Sequence, residues 1–235
     1  MNAEGSSPIA APTPGAPTQR TIAAASVLSA DFAKLQAELS IVDPLRDWVH
    51  CDVMDGHFVP GLTFGPMIVG AIHRLTSAFL DVHLMIEHPE RHAAAFREAG
   101  AGQITVHLEA CDVPAAVLET VRATGAKVGL ALKPATPFAA AEPFLDRLDN
   151  LLVMTVEPGA GGQAFLEPML DKVRDASRWR ADHGARYRIE VDGGIAPETA
   201  ARCCTVGADT FVAGHAIFRQ PDPVAALEAL RKAIA

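Results

Sequence analysis

No basic tract interrupts this chain, and a formal net charge of −8 argues against nucleic acid as its main partner. Acidity does not exclude an anionic small molecule, because backbone amides and helix N-termini hold phosphate locally. No apolar run approaches the length needed to span a bilayer, so no membrane partner is expected. The cysteines are few. Cys51, Cys111, Cys203 and Cys204 form no CxxC pair, which excludes a disulfide scaffold and makes a reducing cytoplasm the expected compartment. Cys203 and Cys204 are adjacent in a predicted helix and read as packing residues. The first twenty residues are rich in Ala, Pro, Ser and Thr, without an amphipathic period and without the charged start and apolar block of a secretory signal. They read as a flexible tail (1–20) ahead of one domain (21–235).

What is present is a long alternation of short apolar runs with amphipathic stretches. The chain has 235 residues, 49% of them hydrophobic, enough for one large core. Strands are predicted at Ile22–Leu28, Trp48–Met54, Phe79–Met85, Gln103–His107, Lys127–Leu132, Leu151–Thr155, Arg188–Asp192 and Thr210–Ala213. Helices are predicted at Asp31–Val42, Pro89–Ala99, Val113–Thr124, Phe138–Leu145, Glu167–His183, Pro197–Val206 and Pro223–Ile234. Ser29 and Asp112 or Val113-Pro114 serve as starts, and Gly100, Gly125, Gly184 and Gly207 as stops. Eight β/α units of this size fit a single α/β domain, a (β/α)₈ TIM barrel. An open doubly wound sheet would place a Gly-rich loop after its first strand. Here that loop is Ser29-Ala30-Asp31, and polar residues recur at the C-terminal ends of many strands, as at a barrel mouth.

The most informative segment runs from Val49 through Pro60. His50 and Asp52 lie two apart on a strand and so share a face. Asp81-Val82-His83 adds a second imidazole on a neighbouring strand, and Glu190-Val191-Asp192 brings a carboxylate from across the mouth. Singly, each has an ordinary explanation; Asp192 could cap the next helix. Together, His50, Asp52, His83 and Asp192 form a set of N and O ligands suited to one divalent metal, Zn²⁺ first, with Fe²⁺, Mn²⁺ and Co²⁺ compatible. Two carboxylates facing each other across a cation can take a proton from one face of a carbon and return one to the other, with the cation polarising an adjacent carbonyl. That is epimerisation beside a ketone, with Asp52 and Asp192 as the catalytic pair.

Three consecutive strands end in glycine-bearing loops: Glu157 to Gly162, Gly193-Gly194, and Gly214-His215. Turn glycines can serve backbone geometry alone, but three such loops side by side favour a phosphate cradle. Met54, Met85 and Met154 also fall at strand ends, as core filler or as an apolar layer lining the site. His57 and His107 read as structural or rim residues, Asp55 as a loop organiser, and Cys51 as pointing away from the site.

These residues resemble the ribulose-phosphate 3-epimerase family, from Ile22 to the C-terminus. The resemblance rests on Ala25 to Phe32, His50 to Pro60, Asp81 to Met85, Val153 to Gly159, Gly161-Gly162-Gln163 and Glu190 to Gly194. It implies a (β/α)₈ barrel that interconverts D-ribulose 5-phosphate and D-xylulose 5-phosphate with a divalent metal, and a homo-oligomer. Carried over by position, His50, Asp52, His83 and Asp192 match metal ligands, Asp52 the proton acceptor and Asp192 the donor. Ser26 and His83 match substrate contacts, and Gly159, Gly161, Gly162, Gly193, Gly194 and Gly214 match phosphate contacts. Gly61, Ala160 and His215 depart from the family's usual Asn, Phe and Ser; Ala160 and His215 fall among the expected substrate contacts. An epimerase for another ketose phosphate, such as allulose 6-phosphate, and a non-catalytic sugar-phosphate binder are the alternatives. A metal-free decarboxylase on this barrel would need a lysine, which Asp81-Val82-His83 lacks.

Overall fold

A computed structural model describes residues 19–235. The expected tail lies outside the described residues up to 18. Its last two residues are tied to the domain: Gln19 Nε2 donates to the Arg186 carbonyl and Arg20 Nη2 to that of Leu45. Eight parallel strands close into a barrel in sequence order: β1 (Ile22–Ser26), β2 (Asp47–Met54), β3 (Phe79–Met85), β4 (Gln103–His107), β5 (Lys127–Leu132), β6 (Asn150–Met154), β7 (Arg188–Asp192) and β8 (Thr210–Ala213), with β8 pairing back to β1. The α/β barrel expected from the alternation is the fold observed. Among the described residues no helix is long and apolar enough to cross a membrane.

Alternation along each strand divides the residues between two cores. Val49, Cys51 and Val53 of β2 and Leu80, Val82 and Leu84 of β3 turn outward into the apolar layer beneath the helices. Their neighbours His50, Asp52, Asp81 and His83 are therefore committed to the barrel interior. Cys51 points away from the site as expected, and Cys203 is packed in the same outer layer with Cys204 against it.

The helices are α1 (Leu35–Leu39), α2 (Pro66–Leu75), α3 (Ala93–Glu98), α4 (Pro114–Ala123), α5 (Met169–Asp182), α6 (Pro197–Thr205), α7 (His215–Phe218) and α8 (Pro223–Ala233). Gly100, Gly125, Gly184 and Gly207 follow helix ends with positive φ, as expected. Four expectations are corrected. β1 ends at Ser26, because the Ser26 hydroxyl accepts from the Leu28 amide and turns the chain into a 3₁₀ turn, Val27–Ser29. Asp31, not Ser29, caps the next segment, accepting from the Ala33 amide; that segment is a 3₁₀ turn before α1 rather than one helix. Phe138–Leu145 forms two 3₁₀ segments, Phe138–Ala140 and Glu142–Arg147, because Pro143 removes an amide donor where an α-helix would need it. Pro89–Ala99 likewise divides into a 3₁₀ turn, Pro89–Arg91, and α3. Of the two expected starts for α4, Val113-Pro114 is the one realised. α2 is not among the predicted helices. Gly70 in its middle weakens the pattern, although Pro66 at its first turn and the buried Val69 and Ile72 mark it.

Candidate active site

The C-terminal ends of the strands meet at one cavity. It is lined by Ser26, Asp52, Met54, Met85, Met154 and Asp192 at the strand ends and by the loops after β6, β7 and β8. Pairing of β2 with β3 sets Asp52 opposite His83, one step above His50 opposite Asp81. That register places His50 Nε2 3.2 Å from Asp52 Oδ1, and His83 Nδ1 3.2 Å from the same oxygen. Asp192, at the end of β7, brings Oδ2 to 3.8 Å from His83 Nδ1. Ligand atoms of His50, Asp52, His83 and Asp192 all lie within 4.8 Å of one another. Two imidazole nitrogens and two carboxylate oxygens converging at this spacing are a donor set for one divalent cation.

The two carboxylates sit in different electrostatic settings. Burial opposes the charge on Asp52, but His50 and His83 outweigh it, and its carboxyl is held well below the ordinary range. Burial, then the charge of Asp52, pushes Asp192 up to about 7. Its side chain remains 17% exposed toward the mouth, so a substrate seated above it completes the desolvation. Near neutral pH the pair is thus one ionised carboxylate and one carboxyl that still carries a proton in about half of the molecules, the split that acid–base work on two faces requires. Ser26 donates its hydroxyl to Asp52 Oδ2 at 2.6 Å, fixing that carboxylate's orientation.

A polar layer lies below this set, where barrels of this kind usually pack Val, Ile and Leu. Asp81 Oδ2 sits 2.6 Å from His50 Nδ1, and Gln103 Nε2 donates to Asp81 Oδ1 at 2.7 Å. Glu190 accepts from Asn150 and lies 3.6 Å from His50 Nδ1. Burial and the nearby Asp81 raise Glu190 well above the usual carboxylate range, whereas His50 outweighs burial and lowers Asp81. Burial is likewise outweighed at His50, whose pKa is raised by Asp52 and Asp81. Sequence reading treats Asp81 and Glu190 only as parts of larger motifs. Their spacing, two before His83 and two before Asp192, is the signal that both face inward.

Two histidines have no site role in the sequence reading. His57 lies in the exposed loop after β2. His107, at the end of β4, is fully buried and not on the rim; its Nε2 is 2.9 Å from His83 Nε2, and burial lowers its pKa to about 4. Asp55 organises its loop, accepting from the amides of His57, Phe58 and Glu87. The alternative of Asp192 as a helix cap is not realised: Ala196 holds that position, with its amide donating to Thr199 Oγ1.

Gly159, Ala160, Gly161, Gly162, Gly193, Gly194, Gly214 and His215 all line the cavity. Gly194 has φ +64, and a Cβ there would fall 2.5 Å from the Phe165 amide nitrogen, so backbone geometry alone demands glycine. Gly214 has an ordinary φ of −112, and a Cβ there would stand 2.8 Å from Ser29 Oγ; space, not conformation, excludes a side chain. Met54 and Met85 pack with Val59, and Met154 with Val156, each buried yet facing the cavity. His50 and His83 are buried beneath the cavity floor and do not line it.

The model of the ribulose-phosphate 3 epimerase family matches residues 22–218. A ribulose-phosphate 3-epimerase of Mycobacterium tuberculosis (strain ATCC 25618 / H37Rv) is 48% identical over 213 residues, covering 89% of this chain and 91% of that protein. Its counterpart from Bacillus subtilis (strain 168) is 44% identical over 210 residues, covering 88% and 97%. Among solved structures, KGPDC from Streptococcus mutans aligns at TM-score 0.68 and 17% identity, covering 92% of this chain and 97% of that one. A 3-hexulose-6-phosphate synthase aligns at TM-score 0.63 and 22% identity, covering 92% and 100%. At those identities the structural likeness extends to the barrel fold alone.

Proposed function

Since this chain belongs to the ribulose-phosphate 3-epimerase family and is thereby an isomerase, we propose that it interconverts D-ribulose 5-phosphate and D-xylulose 5-phosphate by moving protons between Asp52, Asp192 and C3 of the sugar. The observation that carries this reading is the convergence of the Asp52 and Asp192 carboxyls with two histidines, their ligand atoms all within 4.8 Å of one another; the opposed settings of the two carboxyls agree with it. His50, Asp52, His83 and Asp192 would hold a divalent cation, Zn²⁺ by the donor set, with Fe²⁺, Mn²⁺ and Co²⁺ also suited. Such a cation supplies positive charge beside the ketone oxygen, lowering the cost of negative charge growing there.

The remaining steps belong to the side chains. Asp52, ionised and oriented by Ser26, removes the C3 proton from one face of the sugar. Asp192 delivers a proton to C3 from the opposite face, and the enediolate between the two transfers collapses to the other epimer. Met54, Met85 and Met154 exclude water from that intermediate. Backbone amides of Gly159, Ala160, Gly161, Gly162, Gly193, Gly194 and Gly214 hold the phosphate, with the His215 ring beside it as a further donor. NMR with D-ribulose 5-phosphate in D₂O tests the reading. Xylulose 5-phosphate bearing deuterium at C3 is expected; faster turnover of a six-carbon ketose phosphate would redirect the substrate, and no exchange by the zinc-loaded protein would end the reading.

The electrostatics also set how cation binding responds to pH. Asp52 and Asp81 hold a proton on His50 in the metal-free protein, and that proton must leave before Nε2 can act as a ligand. Protons are released on binding, so raising the pH favours it. Apparent zinc affinity should rise by about tenfold per pH unit above about pH 7, where His50 alone loses a proton, and more steeply below it, where Asp192 must lose one as well. Chelator competition between about pH 6 and 8 checks this; a flat profile would contradict it.

A further inference from the structure

The back of the His83 ring leads away from the cavity through a chain of hydrogen bonds that ends on a carboxylate. His83 Nε2 lies 2.9 Å from His107 Nε2, and His107 Nδ1 lies 3.1 Å from Glu109 Oε2. Both rings are wholly buried. Glu109 is itself anchored by its other oxygen, which accepts from the Lys133 amide at 2.8 Å and from the Thr136 hydroxyl. Those contacts tie the turn after β4 (Leu108–Ala110) to the loop after β5.

The positions of the protons follow from the end of this chain. An ionised carboxylate only accepts, so Glu109 requires the proton of His107 to sit on Nδ1. A neutral imidazole has one N–H, so His107 Nε2 is then an acceptor. The 2.9 Å contact must therefore be donated by His83, whose proton sits on Nε2. Asp52 Oδ1 lies 3.2 Å from His83 Nδ1, but it lies equally close to His50 Nε2, which donates to it in the metal-free protein, and Oδ2 accepts from Ser26. Asp52 therefore needs no proton from His83, whose Nδ1 is left as a lone pair facing the site. We propose that Glu109 and His107 are positioning residues that act through two rings to fix His83 in the tautomer able to bind a cation through Nδ1. His50 is served more directly: Asp81 accepts from its Nδ1, so the proton lost when a cation binds is the one on Nε2, which faces the site. Each imidazole facing the site thus has a carboxylate behind it, a supporting arrangement that metal-ligating histidines generally need. The proposal rests on the reading that His83 is a ligand, but the proton positions stand on hydrogen bonds alone.

Two substitutions separate this role from simple packing. In Glu109→Gln, the Lys133 amide and Thr136 hydroxyl retain the amide oxygen, which turns the NH₂ group toward His107 Nδ1. His107 must then accept at Nδ1 and donate from Nε2, and His83 is driven to carry its proton on Nδ1. In His107→Gln, Glu109 holds the new amide's NH₂, and its oxygen still accepts from His83 Nε2. Long-range ¹H–¹⁵N correlation spectra of the metal-free protein read the His83 tautomer, and chelator competition reads zinc affinity. Expected are an Nε2-protonated His83 in the parent and His107→Gln proteins, an Nδ1-protonated His83 in Glu109→Gln, and zinc affinity lower by about 10- to 100-fold in Glu109→Gln only. An unchanged His83 tautomer in folded Glu109→Gln would overturn the proposal, as would equal loss of affinity in both variants. Failure of the parent protein to bind zinc would remove the metal reading, while the metal-free spectra would still decide the proton positions. If Glu109→Gln does not fold, an Nδ1-protonated His83 in the parent spectra alone overturns the proposal.

Discussion

Asp192→Asn should leave the barrel folded and lower kcat for epimerisation by about 10²- to 10⁴-fold at saturating zinc. Asparagine matches the shape of Asp192 at the end of β7 and keeps an oxygen for the site, but it cannot carry the transferred proton. The loss should be selective. Asp52 still faces C3 of D-ribulose 5-phosphate, so it can remove that proton and return solvent deuterium to the same face. In D₂O the variant should therefore label its substrate while forming almost no xylulose 5-phosphate. Asp52→Asn should abolish both labelling and turnover from ribulose 5-phosphate. Epimerisation by zinc-saturated Asp192→Asn at the parent rate would end the two-carboxylate mechanism. Stability supplies a second readout. The folded-state pKa of Asp192 is raised from 3.8 to about 7, so its ionisation disfavours the fold increasingly as pH rises through that window and levels off above it. The metal-free parent should lose stability along that slope, and the slope should be shallower in Asp192→Asn.

The strands are readable because period-two alternation and buried apolar runs are local properties. Five of the eight have the expected bounds, and the misplaced end of β1 reflects a side-chain cap that alternation does not encode. His50, Asp52 and His83 can be grouped for the same reason: neighbouring strands with inward-facing residues must converge. The network behind them is harder to read. Asp81 and Glu190 lie one layer down in the barrel, where apolar residues are the usual expectation, and Asn150 and Gln103 reveal themselves as partners only through the strand register. Glu109 sits in a 3₁₀ turn that has no sequence period, and its link to His107 depends on a tight turn after β4. Such contacts come from closure of the barrel, which brings together residues with no shared pattern.

At the opposite end of the barrel, Asp209→Ala should destabilise the protein by about 3–5 kcal/mol. Asp209 precedes β8 and is fully buried; its Oδ2 accepts from Arg180 Nη1 at 2.5 Å and its Oδ1 from Arg188 Nη1 at 3.1 Å and the Ile189 amide at 3.3 Å. Arg180, on α5, is 2% exposed and also donates to the carbonyls of Tyr187 and Gly207, so it cannot swing out to water without breaking those bonds. Removing the carboxylate strands that guanidinium without a counter-charge. Burial nonetheless outweighs both arginines and pushes the Asp209 carboxyl above its ordinary range, which shows how much desolvation the pair bears. The double substitution Arg180→Met with Asp209→Leu should therefore recover part of the loss, because it removes the two most deeply buried charges, while Arg188 keeps its bond to the Arg20 carbonyl. For a chain of this length the single variant should melt about 6–20 °C lower, and denaturant unfolding of the two singles and the double gives the coupling. An Asp209→Ala protein melting with the parent would show that water reaches Arg180. Because these residues lie at the strand N-termini, far from Asp52 and Asp192, the surviving folded fraction should keep its kcat. Loss of fold without loss of chemistry per folded molecule is the signature expected when a barrel places stability at one end and reactivity at the other.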